Sequence, residues 1–138
     1  MGIQETFEKV YKVISRNSSQ LLAVKSSVSS RSSWFLIREE EILLSLGACP
    51  DVVHCFGGYS SKEVDGSLVY NLILEYALGG SLRNLMERCR SKLTKFEVLR
   101  YARMIVRALC HMHDRGVFHY VQDVLRTVEC FKVVVTSF

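Results

Sequence analysis

The N-terminal half of the chain contains short β-prone runs separated by turn-like residues. Residues 10–14 and 21–24 form two such runs, with the polar segment SRNSS between them. Two further runs, DVVHCFGGY and SLVYNLILEY, lie on either side of Asp65-Gly66, a pair that is favoured in hairpin turns. The pattern therefore predicts two antiparallel hairpins.

Helical spacing predicts three helices. SWFLIREEEILLSLG, between the hairpins, starts with serine and ends with glycine, and GGSLRNLMERC predicts a short helix that begins near Ser81. The third helix follows Thr94, which forms a capping-box motif with Glu97. Its apolar stripe is predicted to contain Phe96, Leu99, Ala102, Ile105, Val106, Leu109 and His113. The element order β-β-α-β-β-α-α indicates an α+β fold, with the serine-rich segment SSVSSRSS as a surface connection.

The amino-acid composition limits the classes of function that the chain could have. Hydrophobic residues make up 49% of the chain and charged residues 23%, which is enough apolar material for a folded core. The net charge of +4 comes from mostly scattered basic residues, so nucleic-acid binding is not supported. No apolar run approaches the roughly 18 to 20 residues that span a bilayer, so no membrane partner is expected. The sequence leaves the oligomeric state open.

The cysteines and histidines predict neither a metal site nor a nucleophile. No cysteines form a C-x-x-C pair and no signal peptide is recognised, so reduced thiols in the cytosol or nucleus are expected. His111 and His113 would project about 200° apart on a helix and cannot easily share one ion. His54-Cys55 has no acidic partner placed to form a Cys-His nucleophile.

Several segments together resemble a known family. LLAVKS, EEEILLSLGACPDVVHCFG, LILEYALGGSL and YARMIVRALCHMHDRGVFH resemble the N-terminal half of a protein kinase, and they are most similar to plant-type mitogen-activated protein kinase kinase kinases, which are Ser/Thr kinases. The resemblance implies an incomplete kinase-like fold, in which an antiparallel sheet and one long helix form the small lobe. The small lobe would be residues 1–74, the hinge 75–77 and the start of the large lobe 78–120. Residues 121–138 match nothing in the family and are expected to be a poorly ordered tail.

The resemblance assigns the phosphate end of a nucleotide site. Lys25 stands where the family has the lysine that pairs the α and β phosphates of ATP, and Glu39 stands where a helix glutamate holds that lysine. Glu40 and Glu41 cannot share the direction of Glu39, because each residue turns a helix by about 100°. We therefore expect these two carboxylates to face solvent.

The resemblance also assigns the adenine end. Six residues are implied to surround the base: Val10, Ala23, Leu74, Glu75, Tyr76 and Ala77. Leu74 resembles the gatekeeper, and Val10 and Ala23 resemble the apolar roof. The hinge would bind adenine through the backbone carbonyl of Glu75 and the backbone amide of Ala77. Taken one at a time, these residues suit an ordinary sheet core equally well.

The chain departs from the family in the loop that covers the phosphates. Counting back from Val10, the three glycine places hold Ile3, Glu5 and Glu8. Two like charges about 4 Å apart repel by roughly 4 kcal/mol at an effective dielectric of 20, which is equivalent to about three decades of affinity. ATP and Mg²⁺ are the family's cofactors, and this chain is expected to bind ATP weakly or not at all.

A second departure lies at the catalytic loop. His119 occupies the place of the loop histidine, but Val121 occupies the place of the aspartate that accepts the substrate proton. General-base assistance typically contributes about a hundred- to ten-thousandfold in rate, and valine cannot supply it. Asp123 is two places late, and the asparagine and Asp-Phe-Gly that hold magnesium do not follow. We expect no intact catalytic or metal-binding residue, in a chain truncated at this loop.

These features leave more than one function open. The leading expectation is a Ser/Thr kinase homologue in signal transduction that transfers no phosphate. The alternative is a non-catalytic interaction module that binds a kinase-cascade partner or a substrate through the long helix or the tail. That helix would lack the large-lobe helices that cover it in the family, so its stripe would be exposed. A translation product without function is a third possibility.

Overall fold

The computed structural model describes residues 8–27, 29–90, 92–118, 128–129 and 132–133. The first hairpin and the helix after it match the predicted order, as do the second hairpin and two later helices, so the α+β class is confirmed. The described elements are β1 (Glu8–Ile14), β2 (Leu21–Ser27), α1 (Ser30–Leu46), β3 (Cys55–Lys62), β4 (Leu68–Glu75), α2 (Leu82–Arg88), α3 (Lys95–His113), β5 (Val128–Glu129) and β6 (Lys132–Val133). In this described part, no helix combines the length and apolarity needed to cross a bilayer.

The first four strands form one antiparallel sheet in the order β1-β2-β4-β3. Lys25 in the middle of β2 lies opposite Val10 of β1 and Leu72 of β4. Two residues further towards the start of β2, Ala23 lies opposite Leu74. Directly opposed residues of antiparallel strands project from the same face of a sheet. Val10, Ala23, Lys25 and Leu74 therefore share one face, which we call the lysine face.

The serine-rich segment is not the surface connection that its composition predicts. β2 extends to Ser27, and α1 already begins at Ser30. Ser29 and Ser32 stabilise this early start reciprocally, because each hydroxyl accepts a hydrogen bond from the other residue's backbone N–H, at 3.2 and 3.0 Å. Serines that satisfy helix N–H groups favour a helix start, whereas a composition-based interpretation treats them only as polar linker residues.

The described chain forms two compact units. One contains the residues up to Leu44 together with Cys55–Tyr76, and the other contains Ser45–His54 together with the residues from Ala77 onward. The first unit holds the four-stranded sheet and most of α1, and the second holds α2 and α3. The lobe and hinge boundaries that the family resemblance implies stay predictions. Most of the predicted tail, 121–138, lies outside the described residues.

Helix α3 begins as predicted, and residues of its predicted stripe are exposed. Thr94 is the N-cap, and both reciprocal bonds of the capping box with Glu97 are present. The side chains that the structure buries are Tyr101, Met104, Ala108 and Met112. Phe96, Leu99 and Val106, from the predicted stripe, are 74%, 48% and 57% exposed. The expected exposure of the stripe is confirmed at these three residues, and the buried residues form a second side of α3 that also has helical spacing.

Polar contacts within the second unit accompany the burial of this side of α3. Arg107 binds both carboxylate oxygens of Asp51, at 2.8 and 3.0 Å. One turn further on, the His111 ring donates from Nε2 to the backbone carbonyl of Leu46 at 2.8 Å. These bonds attach α3 to the segment Ser45–His54, where Leu46, Val52 and Val53 are buried. Their partners are distant in sequence, so helical periodicity could not reveal them.

Candidate functional site

Lys25 and Glu39 form a buried ion pair. Lys25 Nζ donates to Glu39 Oε2 at 2.7 Å, and the two side chains are 11% and 1% exposed. Lys25 projects from the middle of β2 and Glu39 from the middle of α1, so the pair joins the sheet to the helix. A buried charge is tolerated when an opposite charge compensates for the lost hydration. The structure thus brings together the two residues that the sequence places at the phosphate end of the site.

Those residues predicted for the adenine end that belong to the first unit lie on or next to the lysine face. Leu74 is buried opposite Ala23, which is partly buried, and Val10 is exposed opposite Lys25. Glu75 is the last residue of β4. Ala77 belongs to the second unit, where its carbonyl accepts from the amide of Gly80 at 3.4 Å. Their roles in nucleotide binding stay predictions.

The lysine face suits part of a nucleotide. The Lys25 ammonium is a donor and a cation, which fits phosphate oxygens, and the small and apolar side chains beside it leave a surface that suits a planar base. Ile3 and Glu5 lie outside the described residues, and only the backbone of Glu8 is described. In the described part of the chain, no group of three or more histidine, cysteine, aspartate or glutamate side chains could hold a metal ion.

The catalytic-loop positions cannot be placed on this site. His119 and Val121 both lie outside the described residues, as does Asp123. That valine stands in place of the family's aspartate is therefore known from the sequence and not from the structure. The expectation that no phosphate is transferred stays a prediction.

Glu40 does not face solvent, so that prediction was wrong. Glu40 Oε1 accepts from the backbone N–H of Gly58 in β3 at 3.0 Å, and Oε2 accepts from the hydroxyl of Tyr70 in β4. Glu41 is exposed and pairs with Arg38 at 2.9 Å. The error arose from treating one helix side as the only inward side, whereas the sheet lies beneath an arc wide enough for two consecutive residues.

The strand around Gly58 is shaped to receive the Glu40 carboxylate. A β-bulge lies between Cys55 and Gly57. A Cβ atom on Gly58 would lie 2.5 Å from the Tyr70 hydroxyl oxygen and 2.7 Å from Glu40 Oε2, so only glycine fits without a shift. Glycines inside a strand commonly mark a bulge or a close approach. The pair Gly57-Gly58 was therefore the signal in the sequence that could have pointed to this contact.

Burial and the Glu40 carboxylate also change the ionisation of two neighbouring groups. Burial, together with the hydrogen bond to Glu40, raises the pKa of Tyr70 to about 12. Burial raises the pKa of the Cys55 thiol, and the negative charges of Glu40 and Glu39 raise it further. Tyr70 therefore stays a hydrogen-bond donor and Cys55 a neutral thiol at physiological pH.

The opposite face of the sheet carries a groove of about 710 Å³ that does not include Lys25. Tyr11, Tyr59 and Asn71 are among its lining residues. Its buried polar groups bond to one another, since the Ser26 hydroxyl donates to Asn71 Oδ1 at 2.5 Å and Asn71 Nδ2 donates to Ser61 Oγ at 2.8 Å. The groove has no geometric link to the Lys25–Glu39 pair, so we assign the candidate site to the lysine face.

Comparison with known proteins agrees with this geometry. The protein kinase domain family matches residues 4–123. Mitogen-activated protein kinase kinase kinases 17 and 20 of Arabidopsis thaliana are 37% and 38% identical to the chain over 110 and 109 residues, which are 80% and 76% of its length. The chain spans only 29% and 31% of the length of these two relatives.

A solved structure has the same fold. Rad53, crystallised as residues 1–466 in complex with AMP-PNP, superposes with a TM-score of 0.66 at 26% sequence identity. The match covers 84% of this chain and 29% of that one. The family match, the relatives and the fold agree with the resemblance carried by the sequence motifs. The chain belongs to the protein kinase domain family and is homologous to plant mitogen-activated protein kinase kinase kinases.

Proposed function

We propose that the chain is a protein Ser/Thr kinase homologue that keeps the phosphate-binding lysine of a nucleotide site but transfers no phosphate. The Lys25–Glu39 pair is the observation that carries the nucleotide part of this proposal. Burying a lysine and a glutamate removes both charges from water, which is unfavourable, and apolar side chains could form a structural core without that penalty. On this proposal, residues 1–74 act as the small lobe, 75–77 as the hinge and 78–120 as the start of the large lobe.

The absence of phosphate transfer is proposed from Val121. A valine side chain cannot accept the proton of an attacking hydroxyl, so the general-base contribution is lost whatever else is bound. Weak or absent ATP binding is proposed from Glu5 and Glu8, whose charges would repel the phosphates.

Incubation of the purified chain with radiolabelled ATP, Mg²⁺ and a protein substrate tests the lack of activity. We expect no label on the substrate or on the chain above that seen with Lys25→Met. Label that the wild-type chain transfers and Lys25→Met does not would overturn the proposed inactivity. A catalytically active protein kinase, used as a positive control, establishes that the substrate can accept phosphate.

The exposed apolar side chains of α3 favour a second function, that of a non-catalytic module that binds a kinase-cascade partner or substrate. Phe96 and Leu99 project from α3 with much of their surface open to solvent. Exposed apolar clusters of this kind commonly mark protein interaction sites.

Affinity capture from cells, with and without Leu99→Glu, tests the second function. We expect a stoichiometric partner to be lost with this variant and kept with Leu68→Glu, which changes a leucine that is also exposed but lies in β4. Equal capture by both variants would exclude α3 as the interaction surface.

A location in the cytosol or nucleus is also proposed. The cysteines in the described part of the chain, Cys49, Cys55, Cys89 and Cys110, are free thiols, as is usual in reducing compartments. Imaging of the fluorescently tagged chain in its own cells tests this location.

A further inference from the structure

Two consecutive glutamates of α1 reach three different strands of the sheet. Glu39 binds Lys25 in β2, whereas Glu40 accepts hydrogen bonds from Gly58 in β3 and Tyr70 in β4. Only the first contact belongs to the site that the sequence predicts. We propose that Glu40 is a positioning residue, which holds α1 in the rotation that keeps Glu39 on Lys25.

The argument begins with the geometry of a helix. One contact fixes a point on α1 but lets the helix roll about that point. A second contact from the next residue, about 100° around the axis, prevents the roll. Because the Glu40 carboxylate binds two strands with its two oxygens, it fixes the helix both in rotation and in distance from the sheet.

The acidic run of α1 gives this restraint a role in selecting the partner of Lys25. Glu39, Glu40 and Glu41 are chemically identical, so each could neutralise the Lys25 ammonium if the helix rolled by one or two residues. The contacts of Glu40 to Gly58 and Tyr70 remove it as a competitor. Glu41 is occupied on the exposed side by Arg38. The contacts of Glu40 thus determine which of the three neighbouring carboxylates pairs with Lys25.

The partners of Glu40 are matched to a carboxylate. An ionised carboxylate only accepts hydrogen bonds, and Gly58 and Tyr70 supply one N–H and one O–H donor. Hydrogen bonds to charged groups are stronger than those between neutral groups. Gly58 has no side chain, which leaves space for the carboxylate and the phenol, and Tyr70 keeps its proton throughout the physiological pH range.

The chemical reactivity of Lys25 reports directly on this positioning. Brief treatment with an amine-acylating reagent, followed by mass spectrometry, gives the labelling rate of each lysine without any nucleotide. The rate at Lys25 is compared with that at Lys62 and Lys95, which are exposed and take no part in the contacts of Glu39 and Glu40. The variant Glu39→Gln removes the paired charge and gives the labelling rate of Lys25 without this ion pair.

We expect Glu40→Ala to raise the labelling of Lys25 by about tenfold relative to Lys62, the factor that corresponds to a lost hydrogen bond to a charged group. Tyr70→Phe, which removes one of the two donors, is expected to give a smaller increase in the same direction. Glu40→Gln keeps one acceptor oxygen for the two donors and should give an intermediate increase. Glu41→Ala is the matched control and should leave Lys25 unchanged.

The test distinguishes positioning from a general loss of stability. Circular dichroism and thermal unfolding identify the variants that stay folded, and a purely structural role would leave the relative rate at Lys25 unchanged in them. A folded Glu40→Ala variant with wild-type labelling of Lys25 would overturn the proposal. Should Glu40→Ala not fold, Tyr70→Phe decides, because it leaves the carboxylate in place and unchanged labelling in it contradicts the proposal equally.

The inference rests on the proposed function only for its biological meaning, because Lys25 is the lysine proposed to meet phosphate. The labelling comparison needs neither ATP nor activity. Phosphate transfer by the chain would overturn the proposed inactivity and leave the difference between the variants as it was. Unchanged labelling would overturn the positioning role and leave the proposed function as it was.

Discussion

Lys25 Nζ and Glu39 Oε2 lie 2.7 Å apart, and with 11% and 1% of their side chains exposed the two charges depend on each other. Removing Glu39 takes away the carboxylate that lies against the buried Lys25 ammonium. We therefore expect Glu39→Ala to lower the free energy of unfolding by about 3 to 5 kcal/mol, a large part of the stability of a small domain. Urea unfolding followed by circular dichroism measures this change.

An exposed ion pair provides the control for that prediction. Arg83 and Glu87 pair at 3.0 Å on the surface of α2, with more than half of each side chain exposed. Glu87→Ala should change the free energy of unfolding by less than about 1 kcal/mol, because solvent screens this pair. Equal losses from Glu39→Ala and Glu87→Ala would contradict the burial argument.

A second prediction concerns the phosphate-covering loop. If Glu5 and Glu8 repel phosphate, the double variant Glu5→Gly/Glu8→Gly should bind ATP more tightly by up to about three decades, since two repulsive charges are removed. Isothermal titration calorimetry with Mg²⁺ and ATP measures the change in Kd.

The matched control for this gain removes the same amount of charge elsewhere. Glu41→Gln/Glu63→Gln neutralises two exposed carboxylates, and we expect it to leave the affinity for ATP nearly unchanged. The gain should also disappear when Lys25→Met is added to the glycine variant. A gain of the same size in the control would mean that net charge, and not the loop, governs binding.

The third prediction concerns the start of α3. The Thr94 hydroxyl accepts from the backbone N–H of Glu97 at 3.2 Å, and the Glu97 carboxylate accepts from the backbone N–H of Thr94 at 2.8 Å. Thr94→Ala should lower the free energy of unfolding by about 1 kcal/mol, the usual effect of losing an N-cap side chain. Thr94→Ser keeps the hydroxyl and should retain most of that stability.

The same motif predicts how α3 responds to acid. The hydrogen bonds from the Thr94 backbone N–H and hydroxyl lower the pKa of Glu97 below its ordinary value. A carboxyl whose pKa is lowered by folding contributes stability above its unfolded pKa, and that stability is lost as the pH falls through the folded pKa. The difference in stability between wild type and Glu97→Gln should therefore shrink below about pH 4. A difference that stays constant during acidification would contradict this role for the carboxylate.

The strands and helices were predictable because they depend on local pattern. Asp65-Gly66 placed one hairpin, and the Thr94 capping box marked the start of α3. The contacts of Glu40 were not predictable, because its partners Gly58 and Tyr70 are 18 and 30 residues away and belong to different strands. A helical wheel gives the direction of a side chain relative to its own helix, but not the width of the surface beneath it.

The residues that α3 buries were not predictable from the sequence for a related reason. Both the side with Phe96 and Leu99 and the side with Met104 and Ala108 have helical spacing, so periodicity does not distinguish them. The choice depends on contacts with distant residues, such as that of Arg107 with Asp51, 56 residues earlier in the chain. The Lys25–Glu39 pair was predictable despite its long range, because the family resemblance supplied the partner that local pattern could not.

The last prediction uses the raised pKa of Tyr70. In the folded chain this pKa is about 12, because the phenol is partly shielded from water and donates to the Glu40 carboxylate, whereas an unfolded tyrosine titrates near its ordinary value of 10. The unfolded state therefore releases a proton first as the pH rises. The stabilising contribution of Tyr70 is fully present below about pH 10, falls above it and is lost as the pH passes through about 12.

Alkaline titration followed by tyrosinate absorbance tests this order of ionisation. The wild-type chain should show a late step near pH 12 that is absent from Tyr70→Phe, while the steps from exposed tyrosines such as Tyr59 remain. Glu40→Gln should move the late step to lower pH, because the negative charge that opposes formation of the tyrosinate is gone. A late step that persists unchanged in Glu40→Gln would show that burial alone raises the pKa. In that case the carboxylate has no electrostatic effect on Tyr70.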